Sequence, residues 1–406
     1  MTYQADQAML RTRFRLDKDY EVIEERQLIV ECRWFESAAA DLLPGAPSYR
    51  CDVHGRDFPE QPLSAPNVTQ EPSLLVPDSR VQENQRFRFA TYRDSRQPKS
   101  RGIIVLLHGL NERNWGKYLP WAQQLVHETG KAVVLFPLAL HMNRAPDAWG
   151  NPRIMQKVSD TRRNAGSTIA NSTFANAAIS TRLQAQPERF CWSGLQTIFD
   201  LSQFVRQVRR GAYDTLNEDA SVDLFAYSIG AFLAEILVMA NPEGQFDNCR
   251  LFMFCGGATL DRMCPNSRYI LDSDATIALY SYFLARFANE LRNNVRLAHY
   301  VDGLHEMGHF FRMMLDYQEG KEVRERKLFA ISSRLAALSL KRDRVMPANE
   351  VINTLQGDSR AIPVSVTVRD FPYRYDHIVP FPTTSPNEEV ELCFRDVFRK
   401  ASEFLG

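Results

Sequence analysis

A serine between an apolar run and a helical segment is the first group in the sequence that could do covalent chemistry. Ser228 lies in the string AYSIG at residues 226–230. A serine on a sharp turn from strand to helix presents its Oγ, and small residues two positions to either side let the two elements pack closely. Such a hydroxyl can attack a carbonyl carbon. The same string also fits a serine that only caps a helix beginning at Ile229.

A serine nucleophile needs a base and an acid, and both are present further along the chain. An imidazole can take the hydroxyl proton, and a carboxylate fixes the tautomer of that imidazole. Asp343 follows the apolar run 335–340, and His377 follows the run 364–368. Functional residues collect at the carboxyl ends of the strands in a parallel sheet. His377 is the only histidine after Asp343, so the order Ser, Asp, His arises in one way if Asp343 is the acid.

Each of these two partners has an alternative interpretation. Asp343 stands between two arginines and could form a surface ion pair. Asp261, which follows an earlier strand, competes with it as the acid, because some hydrolases place the acid at that point. His377 lies in a polar turn and could be an ordinary loop histidine.

The pair His108-Gly109 ends the apolar run 103–107 and suggests a site for negative charge. Acyl transfer places negative charge on the carbonyl oxygen, which two fixed backbone N–H groups can stabilise. One donor is the amide after the nucleophile, that of Ile229. The other is the amide of Leu110 or, less favoured, of Asn111, since a preceding glycine lets the backbone approach closely.

A second catalytic motif, HEMGH at residues 305–309, predicts a different chemistry. On a helix, His305 and His309 would share a face and could bind zinc, with Glu306 as the base. The extended form of this motif has glycine and histidine further on, where this chain has Arg312 and Leu315. Helical spacing places both histidines on the polar face. We therefore interpret the segment as an ordinary helix and keep zinc-dependent hydrolysis as the alternative function.

Apolar runs alternating with helical segments begin at about residue 86 and position these groups. Runs such as residues 103–107 and 132–136 lack polar alternation, which is typical of a parallel sheet covered by helices on both faces. At least six strand–helix repeats follow, and a largely helical segment interrupts them at 258–332.

These patterns divide the chain into three parts. Residues 1–85 form a loop-rich N-terminal extension, because seven prolines lie between positions 44 and 77. Residues 86–257 and 333–406 form the α/β core. Residues 258–332 form a helical insertion.

Composition excludes several classes of protein. The 406 residues carry 49 basic and 49 acidic side chains, so the strongly basic footprint of a nucleic-acid binder is missing. No apolar stretch approaches the 18 residues of a membrane span, and the first thirty residues do not resemble a secretory signal. Seven cysteines without CxxC spacing fit a reducing compartment, so we expect a cytoplasmic protein. The oligomeric state is left open.

Taken together, the order and placement of these motifs resemble the α/β-hydrolase superfamily over residues 86–406. The resemblance implies a mostly parallel sheet with helices on both faces and a cap formed by residues 258–332. It implies Ser228 as nucleophile, His377 as general base and acid, and Asp343 as the orienting carboxylate. Ala226 departs from the pattern, because glycine is commoner at that position of the turn.

By the same resemblance, the amides of Leu110 and Ile229 would form the oxyanion hole. The implied activity is hydrolysis of a carboxylic ester, thioester or amide of a small-molecule acyl substrate. It needs no cofactor and no metal. A hydrolase fold that serves only as a binding module is the remaining alternative.

Overall fold

The computed structural model of the protein describes residues 2–46, 48–60, 69–165, 168–384 and 387–406. Its strands, in chain order, are β1 (Tyr20–Ile23), β2 (Leu28–Glu36), β3 (Ser48–Cys51), β4 (Arg56–Pro59), β5 (Arg86–Asp94), β6 (Ser100–Leu107), β7 (Ala132–Leu135), β8 (Leu216–Tyr227), β9 (Leu251–Phe254), β10 (Leu335–Leu340) and β11 (Ser365–Arg369). A hairpin of β3 and β4 stands apart from a nine-stranded sheet of the order β1-β2-β5-β7-β6-β8-β9-β10-β11.

The sheet is parallel from β7 to β11 and antiparallel from β1 to β7. β6 lies between β7 and β8, which requires crossover connections. In the register, Leu107 pairs with Ala226 and Tyr227 with Phe254. The carboxyl ends of the central strands are therefore level at one edge of the sheet.

Helices cover both faces of this sheet. They are α1 (Tyr3–Arg13), α2 (Pro72–Leu75), α3 (Gln82–Gln85), α4 (Leu119–Thr129), α5 (Asp147–Gly150), α6 (Pro152–Asn164), α7 (Ala177–Ala185), α8 (Arg189–Arg209), α9 (Ile229–Ala240), α10 (Ser273–Tyr280), α11 (Phe287–Asn293), α12 (Val295–Val301), α13 (Glu306–Met313), α14 (Lys321–Ile331), α15 (Ala348–Gln356) and α16 (Glu388–Leu405). Among them, no helix in the described residues is long and apolar enough to cross a membrane.

Alternating residues of β6 show why its whole sequence is apolar. Ile103 and Val105 pack in the cluster that contains residues of α8 and α9. Ile104 and Leu106 pack in the opposite cluster, which contains residues of α1, α4 and α16. Because side chains alternate between the two faces of a strand, burial of both faces requires apolar residues at every position. The predicted α/β-hydrolase-type fold is confirmed.

The N-terminal segment differs from the loop-rich extension that we expected for residues 1–85. β2 pairs with β5 along nine residues and β1 pairs with β2, so both strands belong to the main sheet. Helix α1 packs on α4. β2 joins the sheet because its apolar side chains, among them Leu28 and Val30, fill the core beside β5. The proline-rich part contains only short elements, and Pro47, Pro62 and Pro66 lie outside the described residues.

The insertion at 258–332 contains α10 to α14, in agreement with its helical pattern. Helix α13 packs against α8 and α9 on one face of the sheet. Phe311 of α13 makes an edge contact with Phe232 of α9, with ring centroids 5.5 Å apart. Helix α13 therefore joins the insertion to the helices on one face of the sheet.

Candidate active site

The turn between β8 and α9 consists of one strained residue. Ser228 has φ 57° and ψ −123°, a conformation that is costly for a residue with a side chain. Its backbone N–H donates to the carbonyl oxygen of Phe254 at 3.3 Å. A Cβ at Gly230 would lie 2.8 Å from the carbonyl oxygens of Leu107 and His108. Only glycine at position 230 therefore lets α9 approach β6 this closely.

Ser228, His377 and Asp343 lie in one hydrogen-bonded chain. Ser228 Oγ is 2.7 Å from His377 Nε2. His377 Nδ1 is 2.7 Å from Asp343 Oδ2. All three residues are buried. Within the described part of the chain, Ser228 makes no capping bond to α9, so its hydroxyl is committed to the histidine.

The loop after β10 holds the Asp343 carboxylate in place. Its Oδ1 accepts from the backbone N–H groups of Val345 and Met346, both at 2.9 Å. Its Oδ2 is left to face the imidazole of His377. Arg342 bonds to Asp370 at 2.9 Å and does not form the surface ion pair considered for Asp343. The two backbone bonds to Oδ1 fix the orientation of the carboxylate.

Asp261, the competing acid, lies in a different set of contacts. Its Oδ1 accepts from Thr259 Oγ1 at 2.7 Å and from the Tyr317 backbone N–H at 3.0 Å. Its other oxygen faces Arg262 at 3.1 Å. The structure therefore brings Asp343, and not Asp261, to the imidazole of His377.

Tyr227 holds the ring and backbone of His377 in position, a role that the sequence analysis missed. Its ring stacks on that of His377, with centroids 5.4 Å apart and planes 21° from parallel. Its hydroxyl donates to the carbonyl oxygen of His377. Burial raises the pKa of Tyr227 well above its usual value, so the phenol stays protonated and remains a donor. The only sequence signal was an aromatic residue directly before the serine.

Hydrogen bonds orient the backbone next to Ser228, where Leu110 was predicted as an oxyanion donor. The Leu138 N–H donates to His108 Nε2 at 3.0 Å, so the ring proton is on Nδ1 and is donated to the carbonyl oxygen of Gly109 at 2.8 Å. Burial lowers the pKa of His108 well below its usual value, which keeps this ring neutral. The bond fixes the peptide plane that also carries the Leu110 N–H.

Two further contacts complete this backbone region. The Gly109 N–H donates to the Tyr118 hydroxyl at 3.0 Å, and that hydroxyl donates to Glu112 at 3.0 Å. Ile229, the other predicted donor, is the first residue of α9. Amides in the first turn of a helix have no carbonyl partner within the helix and attract negative charge. Asn111 has φ 60°, and its side-chain NH₂ group donates hydrogen bonds to the carbonyl oxygens of Ala175 and Tyr269.

A groove of about 860 Å³ runs past His377. Its lining includes Ser267 and Tyr269, from the loop before α10, and Arg342 and Arg344, the neighbours of Asp343 in the sequence. The loop before α10 therefore borders the predicted site together with His377. Ser228 itself is only 3% exposed, so the approach to its hydroxyl is narrow.

The HEMGH motif does not form the site that its spacing predicts. His305 has extended backbone angles and precedes α13, which begins at Glu306. Its ring contacts Cys51 and His299 rather than His309. Within the described residues, the histidine, cysteine and acidic side chains that could share a metal ion are Cys51, His54, His299 and His305. Glu306 and His309 do not belong to that group.

The mostly parallel sheet with helices on both faces is an α/β-hydrolase-like fold. Over residues 1–406 the sequence matches the family of unknown function DUF6051, and the chain belongs to that family. None of the curated proteins matches it.

Solved structures with a similar fold include several esterases. Carboxyl esterase 2 of the fungus Tuber melanosporum is 10% identical, with 79% of this chain and 82% of that chain covered and a TM-score of 0.46. A thermostable esterase of Pseudomonas putida is 10% identical, with 100% and 91% covered and a TM-score of 0.46. An esterase of the archaeon Pyrobaculum calidifontis is 11% identical, with 99% and 88% covered and a TM-score of 0.43.

Proposed function

We propose that the protein is a serine hydrolase that cleaves a carboxylic ester, thioester or amide through an acyl-enzyme on Ser228. One observation carries the proposal: Ser228 Oγ, the His377 ring and the Asp343 carboxylate are linked by two contacts of 2.7 Å. This is the arrangement in which an imidazole can accept the hydroxyl proton while a carboxylate fixes its tautomer. No metal or cofactor enters the proposed reaction.

The first half of the reaction forms the acyl-enzyme. Asp343 accepts a hydrogen bond from the Nδ1–H of His377, so the unprotonated Nε2 is the atom that takes the proton of Ser228 Oγ. Oγ bonds to the carbonyl carbon, and the electron pair of the C=O bond moves to oxygen. The tetrahedral intermediate then collapses. The leaving alcohol, thiol or amine departs with the proton from Nε2.

The second half returns the enzyme to its starting state. Water gives a proton to Nε2 and attacks the acyl carbon, and the second tetrahedral intermediate releases the acid as Ser228 Oγ regains its proton. An acceptor other than water would give acyl transfer by the same residues. The amides of Leu110 and Ile229 stabilise the oxyanion in both halves, each by about 3 kcal/mol.

Covalent labelling tests this proposal directly. A fluorophosphonate probe should modify the folded protein, and mass spectrometry should locate the adduct on Ser228. The His377→Ala variant, which keeps the serine, should label at least about 10³-fold more slowly because the base is lost. A folded protein that gives no adduct at Ser228 contradicts the proposal and favours a binding module.

One substitution separates the proposal from zinc-dependent hydrolysis at the HEMGH motif. Glu306→Gln removes the base that the zinc mechanism needs and leaves the serine site intact. We expect its rate with activated esters to stay within about twofold of the parent chain. Loss of activity in Glu306→Gln with retained labelling of Ser228 would favour the zinc mechanism.

A further inference from the structure

Four side chains with strong affinity for transition metals meet far from Ser228 in the sequence. Cys51 and His54 belong to the β3–β4 hairpin, whereas His299 lies on α12 and His305 directly precedes α13. One ligand atom from each of the four lies within 4.8 Å of the corresponding atom of every other member. Cys51, His299 and His305 are buried, and His54 is exposed at the tip of the hairpin.

Three of the six distances between these atoms are close to the edges of a zinc tetrahedron. Zn–S bonds of about 2.3 Å and Zn–N bonds of about 2.0–2.1 Å place neighbouring ligands about 3.3 Å apart for N···N and about 3.5 Å apart for S···N. Here His305 Nε2 lies 3.2 Å from His299 Nε2. Cys51 Sγ lies 3.3 Å from His305 Nε2 and 3.5 Å from His54 Nδ1.

Hydrogen bonding alone accounts poorly for this arrangement. His305 Nε2 has a single proton or a single lone pair in the ring plane, yet both the thiol of Cys51 and Nε2 of His299 approach it. One cation among the four atoms would accept a lone pair from each of them. In the described residues, this group contains no carboxylate that would compensate protonated imidazoles.

Local packing holds the two histidines of the insertion in position. The ring of Tyr300 stacks on that of His305, with centroids 4.3 Å apart and planes 13° from parallel. Gly308 allows α13 to pack against the carbonyl of Tyr300, where a Cβ would clash. The spacing is Cys-x₂-His in the hairpin and His-x₅-His between the helices, close to the spacing of structural zinc sites.

We propose that Cys51, His54, His299 and His305 bind one Zn²⁺ ion and so fasten the β3–β4 hairpin to the helical insertion. The site is structural: four protein ligands complete a tetrahedron and leave no position for a substrate. A thiolate with three imidazoles favours Zn²⁺ over Mg²⁺ or Ca²⁺, which prefer oxygen ligands. The proposal does not depend on the activity of Ser228.

Metal analysis of the full chain tests the site. Protein purified without added metal should contain about one zinc per chain. After removal of the metal with a chelator, Co²⁺ should restore binding and produce both the visible bands of tetrahedral coordination and a near-ultraviolet thiolate-to-cobalt band. A full chain with less than about 0.1 zinc and no cobalt spectrum at micromolar Co²⁺ would overturn the proposal.

Single substitutions assign the ligands. Cys51→Ser should remove the thiolate-to-cobalt band, whereas Cys264→Ser, at an exposed cysteine outside the group, should keep it. His305→Ala should lower the affinity for Zn²⁺ at least about 100-fold, and His309→Ala should leave it within about twofold. If His309→Ala instead lowered the affinity for Zn²⁺ and His305→Ala did not, the proposal would be overturned in favour of a site that uses the HEMGH motif.

His54→Ala tests the site even if the substitutions at the buried residues Cys51 and His305 prevent folding. His54 is exposed, so its loss should leave the fold intact and weaken Zn²⁺ binding about tenfold or more. Unchanged affinity in a folded His54→Ala protein would contradict the four-ligand site.

Discussion

Two buried histidine sites in this protein show how partners decide the chemistry of the same side chain. At the carboxyl edge of the sheet, His377 has a carboxylate on one nitrogen and a hydroxyl on the other. Between the hairpin and the insertion, His305 has a thiol and another imidazole near a single nitrogen. The first arrangement is linear and suits the transfer of a proton, whereas the second converges on a point and suits a cation.

The two sites also differ in how they are built. Each member of the first follows directly on a strand or lies in a loop after one, so the sheet register positions all three. The second joins segments separated by more than 240 residues and depends on how a short hairpin meets a helical insertion. Removal of the metal should therefore affect the packing of the hairpin more than the chemistry at Ser228.

The largest expected effect is that of Asp343→Asn. The change keeps the shape of the side chain but stabilises the wrong tautomer of His377, so the rate of ester cleavage should fall about 10³- to 10⁴-fold. Asp261→Asn, which retains an acceptor oxygen for Tyr317, is the matched control and should stay within about threefold. Steady-state kinetics with an activated ester measures both, and equal losses in the two variants would contradict the assignment of the acid.

Removal of zinc should reduce stability more than activity. If Zn²⁺ binds only the folded chain, a free concentration about 1,000 times Kd contributes about 4 kcal/mol to the free energy of unfolding. Denaturant titration with and without chelator measures this difference. Labelling of Ser228 well below the unfolding midpoint should change less than about threefold, and a large loss of labelling there would show that the two sites are coupled.

Glu235 extends the comparison to a buried carboxyl group without a hydrogen-bond partner among the described residues. It lies on α9, and both of its carboxylate oxygens are buried without a hydrogen-bond partner among the described residues. Burial raises the pKa of Glu235 from 4.5 to about 8, against the opposing charge of Arg324. Since the folded state holds this proton more tightly, stability should fall as pH rises from about 4.5 to about 8.

Glu235→Gln should remove that dependence. At pH 5 the variant and the parent chain should have similar free energies of unfolding. At pH 8.5 the variant should be more stable, by roughly 4 kcal/mol relative to the difference at pH 5. Denaturant titrations at the two pH values measure this change, and a difference that does not depend on pH would contradict the raised pKa.

The smallest expected effect is that of Tyr118→Phe, near the amide of Leu110 that we predict as an oxyanion donor. Loss of the hydroxyl leaves the Gly109 N–H without its acceptor and loosens the peptide that carries the Leu110 N–H. We expect kcat to fall about tenfold with little change in KM. Tyr92→Phe is the control, because the Tyr92 hydroxyl is buried without a hydrogen-bond partner among the described residues. Equal kcat values in the two variants would contradict this positioning role.

Much of the fold could be predicted from local patterns. The runs at 103–107 and 335–340 lie in buried strands because a central parallel strand needs apolar residues on both faces. The small residues Ala226 and Gly230, two positions to either side of Ser228, predicted the sharp turn at the serine. Asp343 and His377 each follow a different predicted strand. Their positions therefore predicted that both side chains lie at the carboxyl edge of the sheet.

Other features were decided by tertiary packing. Prolines between residues 44 and 77 suggested an extension outside the core, yet β2 upstream of them pairs with β5 in the main sheet. The HEMGH spacing indicated that His305 and His309 could bind one zinc ion together. In the structure the helix begins only after His305, and the ring of His305 contacts Cys51 instead. Spacing determines what one element presents on its surface. Which distant element lies against that surface depends on the packing of the whole chain, because burial and shape, rather than sequence separation, determine contact.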